Sequence, residues 1–149
     1  MAITTSGLYV ASFVSALSGG ITLNLTLTTH KVAMYTNAIT PNFDTDTAYS
    51  SAPYTTNEVT GTGYTAGGAL LPTPTLADSA GGYMVFSAAN VSWSTSTITN
   101  ARGALIYADA LAGKNCIALI NFGADYSTTA GTFTIQWNAG GISSTKLTP

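Results

Sequence analysis

The stretch TGTGYTAGGALL, Thr60 to Leu71, decides between two fold classes. Its Gly61-Thr62-Gly63-Tyr64-Thr65-Ala66 core fits the glycine fingerprint of a dinucleotide-binding turn, which would make the chain an α/β protein. That mechanism needs a helix after the glycines, so that free N–H groups at its N-terminus meet the pyrophosphate. Here the chain runs into Leu70-Leu71-Pro72-Thr73-Pro74, and the two prolines forbid a helix. Asp78 comes too early, and in a Ser/Gly turn, to be the acid that holds a ribose. The glycines therefore read as a bend between strands, and no nucleotide or other cofactor is expected.

Outward from this bend the hydrophobic period is mostly two. Leu23, Leu25 and Leu27 alternate with Thr and Asn as in a one-sided strand, and Lys31 to Thr36 reads as the next. Short strands are expected at Tyr83–Phe86, Val91–Ser94, Gly103–Tyr107, Cys116–Phe122 and Thr132–Trp137, separated by Gly, Asn, Asp or Ser turns. Those near Leu105 and Leu119 are apolar on both faces and suit a sheet centre, whereas Phe133, Ile135 and Trp137 alternate with Thr134 and Gln136. There is no internal repeat. The pattern predicts a mainly β fold, an antiparallel β-sandwich or jelly-roll-like domain over residues 21–149, with a long aromatic loop at about 37–82.

One helical stripe stands apart. Val10, Phe13, Val14 and Leu17 fall at i, i+3, i+4 and i+7, with Thr5 or Ser6 as cap and Gly19-Gly20 as stop. Residues 1–20 thus read as an arm with one short amphipathic helix, whose stripe is a partner-binding candidate. In the loop, Phe43, Tyr49, Tyr54 and Tyr64 are candidates to pin it to the domain or to a partner.

Composition narrows the function classes. Only 7% of the 149 residues are charged, against about 25% in an ordinary domain, while 46% are hydrophobic. Ten charged side chains do little to keep copies apart, so self-association is expected, as a trimer. Lys31, Arg102, Lys114 and Lys146 are too few and scattered for a nucleic-acid footprint. No apolar run reaches the length of about 20 residues that spans a bilayer, and no Lys or Arg precedes Leu8 as a signal peptide would require. A single cysteine, Cys116, in an apolar strand reads as a buried structural thiol and fits folding in a reducing cytoplasm.

Catalytic chemistry is scarce. His30 is the only histidine, leaving a zinc site without its other ligands and a hydrolytic triad without alternatives; beside Lys31 it reads as a partly exposed edge residue. Glu58 has no specified carboxylate partner for glycosidase chemistry. Asn42, Asp44 and Asp46 have the spacing that opens an EF-hand calcium loop, but Thr47 replaces the required Gly and Pro53 the bidentate Glu, so an Asx turn is expected and no metal. Arg102 enters an apolar strand and is expected to form a structural ion pair with Asp109, Asp125 or Asp46.

The runs NEVTGTGYTAGGALL (57–71), VSWSTSTITNARGALIY (91–107) and ALINFGADYSTTAGTFTIQW (118–137) resemble small virion structural proteins of tailed bacteriophages, especially those of actinobacteria. TTSGLYVASFVSAL (4–17) and LTTHKVAMYTNAITPNFDTD (27–46) extend the resemblance over most of the chain. It implies a non-enzymatic protein made in the bacterial host cytoplasm and located in the virion. It most directly implies a capsid decoration protein on the outer face of the head, with the major capsid protein as partner. The alternative is a tail or fibre component, with tail proteins as partners and a receptor- or glycan-binding role. No active-site residue is carried over.

Overall fold

The computed structural model describes residues 2–148; Met1, the first residue of the expected arm, and Pro149 lie outside them. The elements are β1 (Gly7–Leu8), α1 (Val10–Leu17), β2 (Lys31–Tyr35), β3 (Ala69–Leu70), β4 (Thr75–Ser79), β5 (Tyr83–Ser87), β6 (Val91–Tyr107), β7 (Cys116–Ile135) and β8 (Ser143–Lys146). They form two antiparallel sheets, ordered β1-β7-β6-β2-β3 and β4-β5-β8. The protein is mainly β with one short helix near its N-terminus, as in a β-sandwich.

Four of the expected short strands prove to be two long ones. Val91–Ser94 and Gly103–Tyr107 are the ends of β6, and Cys116–Phe122 and most of Thr132–Trp137 belong to β7. The residues between them read as turns because they hold backbone bends: Thr95, Asn100 and Ala130 have positive φ, as does Gly123. These bends are β-bulges, and the pairing shifts from Trp93↔Phe133 through Ser96↔Gly131, Ile98↔Thr128 and Ala101↔Tyr126 to Gly103↔Asn121. Where bulges interrupt the backbone ladder, hydroxyls replace it. The Ile98 N–H donates to Thr128 Oγ1 (3.3 Å), the Asn100 N–H to Ser127 Oγ (2.9 Å) and the Ala130 N–H to Thr97 Oγ1 (3.1 Å). The Ser/Thr richness of these strands is thus what lets them stay paired while bending.

The bends fold the ribbon onto itself. Phe122 and Phe133 would stand roughly 35 Å apart along a straight strand, yet their ring centroids are 6.1 Å apart. Two layers result. In the first, β2 and the proximal parts of β6 and β7 are buried on both faces, alternating along the strands except at the register shift beside Ile117. Val32, Met34, Ala104, Ile106, Ile117 and Ala118 meet the second layer, with Phe86, Val91, Trp93, Ile98, Phe133 and Ile135. Ala33, Tyr35, Leu105, Tyr107, Cys116 and Leu119 face the other way, under Ile3, Tyr9, Ile39 and Tyr54.

The loop that supplies part of this second cover is shorter than expected. The segment at 37–82 contains β3 and β4, so the irregular stretch spans 36–68. Its glycines form the bend that the prolines required. At Gly61 and Gly68, both with positive φ, a Cβ would be driven into the carbonyls of Thr97 and Val32, so only glycine lets the loop backbone lie against β6 and β2. The strand expected around Leu23, Leu25 and Leu27 does not form. Asn24 Oδ1 accepts from both the N–H (3.0 Å) and the hydroxyl (2.8 Å) of Thr26, an Asx turn that captures the backbone before a ladder can.

The N-terminal segment expected as an arm packs on the domain. β1 pairs with β7 through Gly7↔Leu119 and Leu8↔Ala118, the Ile3 N–H donates to Asn37 Oδ1 (2.9 Å), and Ile3 and Tyr9 are buried. Residues 2–9 belong to the domain. Neither Thr5 nor Ser6 caps α1: the N-cap is Tyr9, without a side-chain bond, and the Ser6 hydroxyl instead accepts from the Asn121 N–H at 2.9 Å. Gly19-Gly20 does stop the helix, with Gly19 at φ 80 and the Gly20 N–H on Ser15 O at 2.7 Å.

Deleting Met1 to Ser18 is accordingly expected to abolish cooperative melting, because it removes Ile3, Tyr9 and the strand covering the proximal edge of β7. Thermal denaturation followed by circular dichroism checks this. A truncated chain that still melts cooperatively would make the segment detachable.

Candidate interaction surface

The helical stripe divides on folding. Phe13 turns inward against the core, while Val10, Val14 and Leu17 are 49%, 59% and 88% exposed. Tyr9 fixes the orientation: its side chain is buried, its N–H donates to Ile117 O (3.1 Å), and the next amide, of Val10, donates to Phe43 O (2.8 Å). The outward face is therefore apolar, uncharged and rigidly held. No charged residue precedes Lys31 in the chain.

The loop aromatics point the other way. Tyr54 is fully buried, its ring edge-on to Tyr9 and Tyr35, and its hydroxyl is hydrogen-bonded to that of Tyr9 and donates to Asp46 Oδ2 (2.9 Å). Phe43 packs against Tyr9 at 5.2 Å between ring centroids, and Tyr49 stacks on Tyr107 at 4.3 Å. Tyr64 lies 5.9 Å from the Trp93 ring. Phe43, Tyr49, Tyr54 and Tyr64 thus pin the loop to its own domain; Tyr54 is sealed in the core, while the other three keep part of their surface exposed.

The residue that organises them, Glu58, has no sequence signature of this role. Its carboxylate accepts from the Tyr49 hydroxyl (2.8 Å), the Tyr64 hydroxyl (2.6 Å) and the Gly67 N–H (2.7 Å). Tyr64 Oη accepts in turn from the Met34 N–H (2.9 Å), and Tyr107 donates to Gly67 O (2.8 Å). Burial first, and then the hydrogen bond to the Glu58 carboxylate and its charge, push the Tyr49 phenol up to about 12 and that of Tyr64 well above its ordinary value, so both remain donors.

The remaining polar candidates are also structurally engaged. Arg102 Nη1 meets Asp125 Oδ1 at 3.3 Å on a partly exposed face, while Asp109 pairs with Lys31 (2.9 Å) and Lys114 (3.1 Å). Burial opposes ionisation of Asp109, but the two lysines outweigh it and hold its carboxyl below the usual range. Asn42 Oδ1 accepts from the N–H groups of Asp44 (3.0 Å) and Thr45 (3.3 Å), and Asp46 Oδ2 from that of Asn42 (2.8 Å). This is the Asx turn. Among the described residues no group of three or more His, Cys, Asp or Glu side chains could hold a metal. Cys116 is buried, and burial raises its thiol pKa. His30 is not the edge residue expected but is buried, its Nε2–H donating to Asn24 O at 2.8 Å and its Nδ1 left without a partner.

A second surface has no signal in the hydrophobic pattern. β1 covers the outer edge of β7 only as far as the Asn121–Ser6 bond. Beyond it, among the described residues, no strand pairs with that edge. The bent strand encloses a groove of about 460 Å³, with Phe122, Tyr126, Thr128, Thr132, Phe133 and Gln136 in its wall.

Glu58→Ala is expected to cost about 2 kcal/mol and lower Tm by roughly 7 °C, because two partly buried hydroxyls and an amide lose a charged acceptor. Tyr64→Phe should cost about 1 kcal/mol. Calorimetry decides, and a loss under about 1 kcal/mol for Glu58→Ala would show the carboxylate to be incidental. For His30, burial holds the pKa below the ordinary 6.5. The unfolded chain therefore binds the proton first, and stability falls as pH drops below about 6.5. Asp109, also lowered, gives loss only in the acid range below its ordinary 3.8. Denaturant titrations from pH 7.5 to 5 should show this slope in the native protein and not in His30→Gln.

No protein-family model matches the chain, and neither a curated protein nor a solved structure is significantly similar to it.

Proposed function

We propose that the protein is a non-enzymatic structural component of a phage virion, most specifically a capsid decoration protein that docks on the outer face of the head and cements neighbouring capsid subunits. One observation carries the docking role: the outward stripe Val10, Val14 and Leu17, uncharged and fixed to the domain by β1 and Tyr9. An apolar helix face held in place loses little conformational entropy on binding, which favours association without charge steering. The inward engagement of Tyr54, Tyr64, Glu58 and His30 supports a scaffold in preference to a catalytic centre. It also favours shell docking over a glycan-binding fibre tip, because Tyr54 is sealed in the core and the rings of Tyr49 and Tyr64 are already engaged by Tyr107 and Trp93.

The test substitutes Val14→Lys with Leu17→Glu. Both side chains are exposed, so melting should stay within about 0.5 kcal/mol of the native protein. Addition to empty heads of the encoding phage, measured by co-sedimentation, should be lost. A double variant that adds to heads as well as the native protein would remove α1 from the contact.

A further inference from the structure

We infer that the free outer edge of β7, from Tyr126 to Ile135, pairs antiparallel with the same edge of a second copy of this chain. This deepens the assembly role proposed above by naming a contact between copies. An edge strand exposes a row of backbone N–H and C=O groups whose natural complement is another extended strand. Proteins usually guard such an edge with Lys, Pro, an inward charge or a β-bulge. No Lys, Pro or charge occurs from Tyr126 to Ile135, and the bend at Ala130 leaves an extended run on either side of it. The nearest charge, Asp125, already faces Arg102 of the same chain at 3.3 Å.

The charge pattern selects the occupant. The groove wall carries no charged side chain, so nothing in it would pair with the charges of a charged strand. An uncharged strand rich in hydroxyl and aromatic side chains fits, and Tyr126–Ile135 is itself such a strand. Two copies meet there in any register without opposing like charges.

Geometry selects the symmetry. β1 occupies the proximal part of the same edge. In an antiparallel two-fold arrangement the β1 strands of the two copies lie at opposite ends of the contact and do not collide; side by side and parallel they would lie at the same end. The bend at Ala130, with φ 48, divides the extended part into Tyr126–Thr129 and Gly131–Ile135 and so restricts the registers that can pair. An edge that pairs with itself closes at two copies, rather than at the three expected from composition.

Light scattering of the isolated protein at micromolar concentration should give twice the chain mass, with amide exchange over Gly131–Ile135 slowing as concentration rises. Thr129→Lys with Thr132→Lys, both at exposed positions, should restore the monomer mass while melting remains cooperative. A native monomer, a trimeric mass, or a dimer whose Gly131–Ile135 amides exchange as fast as at high dilution would each overturn the pairing. Should the lysine variant fail to fold, the exchange measurement on the native protein decides alone. Because these measurements need no capsid, a monomer that still adds to heads defeats only the pairing. A dimer that does not add to heads defeats only the shell role.

Discussion

The pairing of β6 with β7 is the constraint on which the rest of the molecule depends. It supplies the middle of the larger sheet, and β1 and β2 have nothing else of comparable length to attach to. The same ribbon continues past its bends until β5 pairs with β8, so the smaller sheet grows from its open end. Straight, the ribbon would leave one face of every strand in water. Its bulges bring Phe133, with its cross-strand partner Trp93 at 6.3 Å, back over Phe122, and a core forms between the two layers. Positive φ at Thr95, Asn100 and Ala130 is unfavourable for residues with a Cβ. The hydroxyl bonds and the buried aromatic contacts that these bends permit offset that cost.

A chain with so few charges must satisfy its buried backbone by other means. Hydroxyls do this twice. In the ribbon, Ser and Thr stand in for missing ladder bonds; in the loop, tyrosines carry an apolar ring into the core and leave one polar atom to find a partner. Tyr35 donates to Tyr54 O at 3.0 Å and Tyr107 to Gly67 O at 2.8 Å, so the loop backbone is held by side chains rooted in β2 and β6. Glu58 adds the one charged acceptor where three donors converge. That concentration makes the loop a second wall of the core instead of a mobile surface feature.

The legible parts of the sequence were those where one local rule acts alone. The i, i+3, i+4, i+7 spacing located α1 at Val10–Leu17, and apolar residues on both faces of Leu105 and Leu119 marked the sheet centre. The prolines after Gly68 settled that the glycines are a bend. Rules in competition hid the rest. Alternation at Leu23–Leu27 lost to the Asn24 side chain, a contest that periodicity does not register. Bulges made β6 and β7 look like four strands, because a Thr or Asn with positive φ carries the composition of a turn. For the surface, the stripe on α1 was visible, but which of its members face outward depends on the anchoring of Tyr9 through Ile117 O. The open edge of β7 is defined by where β1 stops, which no residue pattern encodes.

Anchoring also changes how an apolar helix works. On a swinging arm, Val10, Val14 and Leu17 would have to be ordered at the moment of contact, and a helix of this length is marginal alone in water. Held by β1, by the Tyr9 and Val10 amides, and by Phe13 in the core, the helix is already formed and the cost of ordering it belongs to folding. The same anchoring prevents the stripe from hiding against its own domain, so the apolar surface stays available. A chain with ten charges in 149 residues leaves such a surface little electrostatic protection from neighbours. That combination, an exposed apolar face and an open strand edge on a chain with little charge, is what the assembly role proposed above rests on.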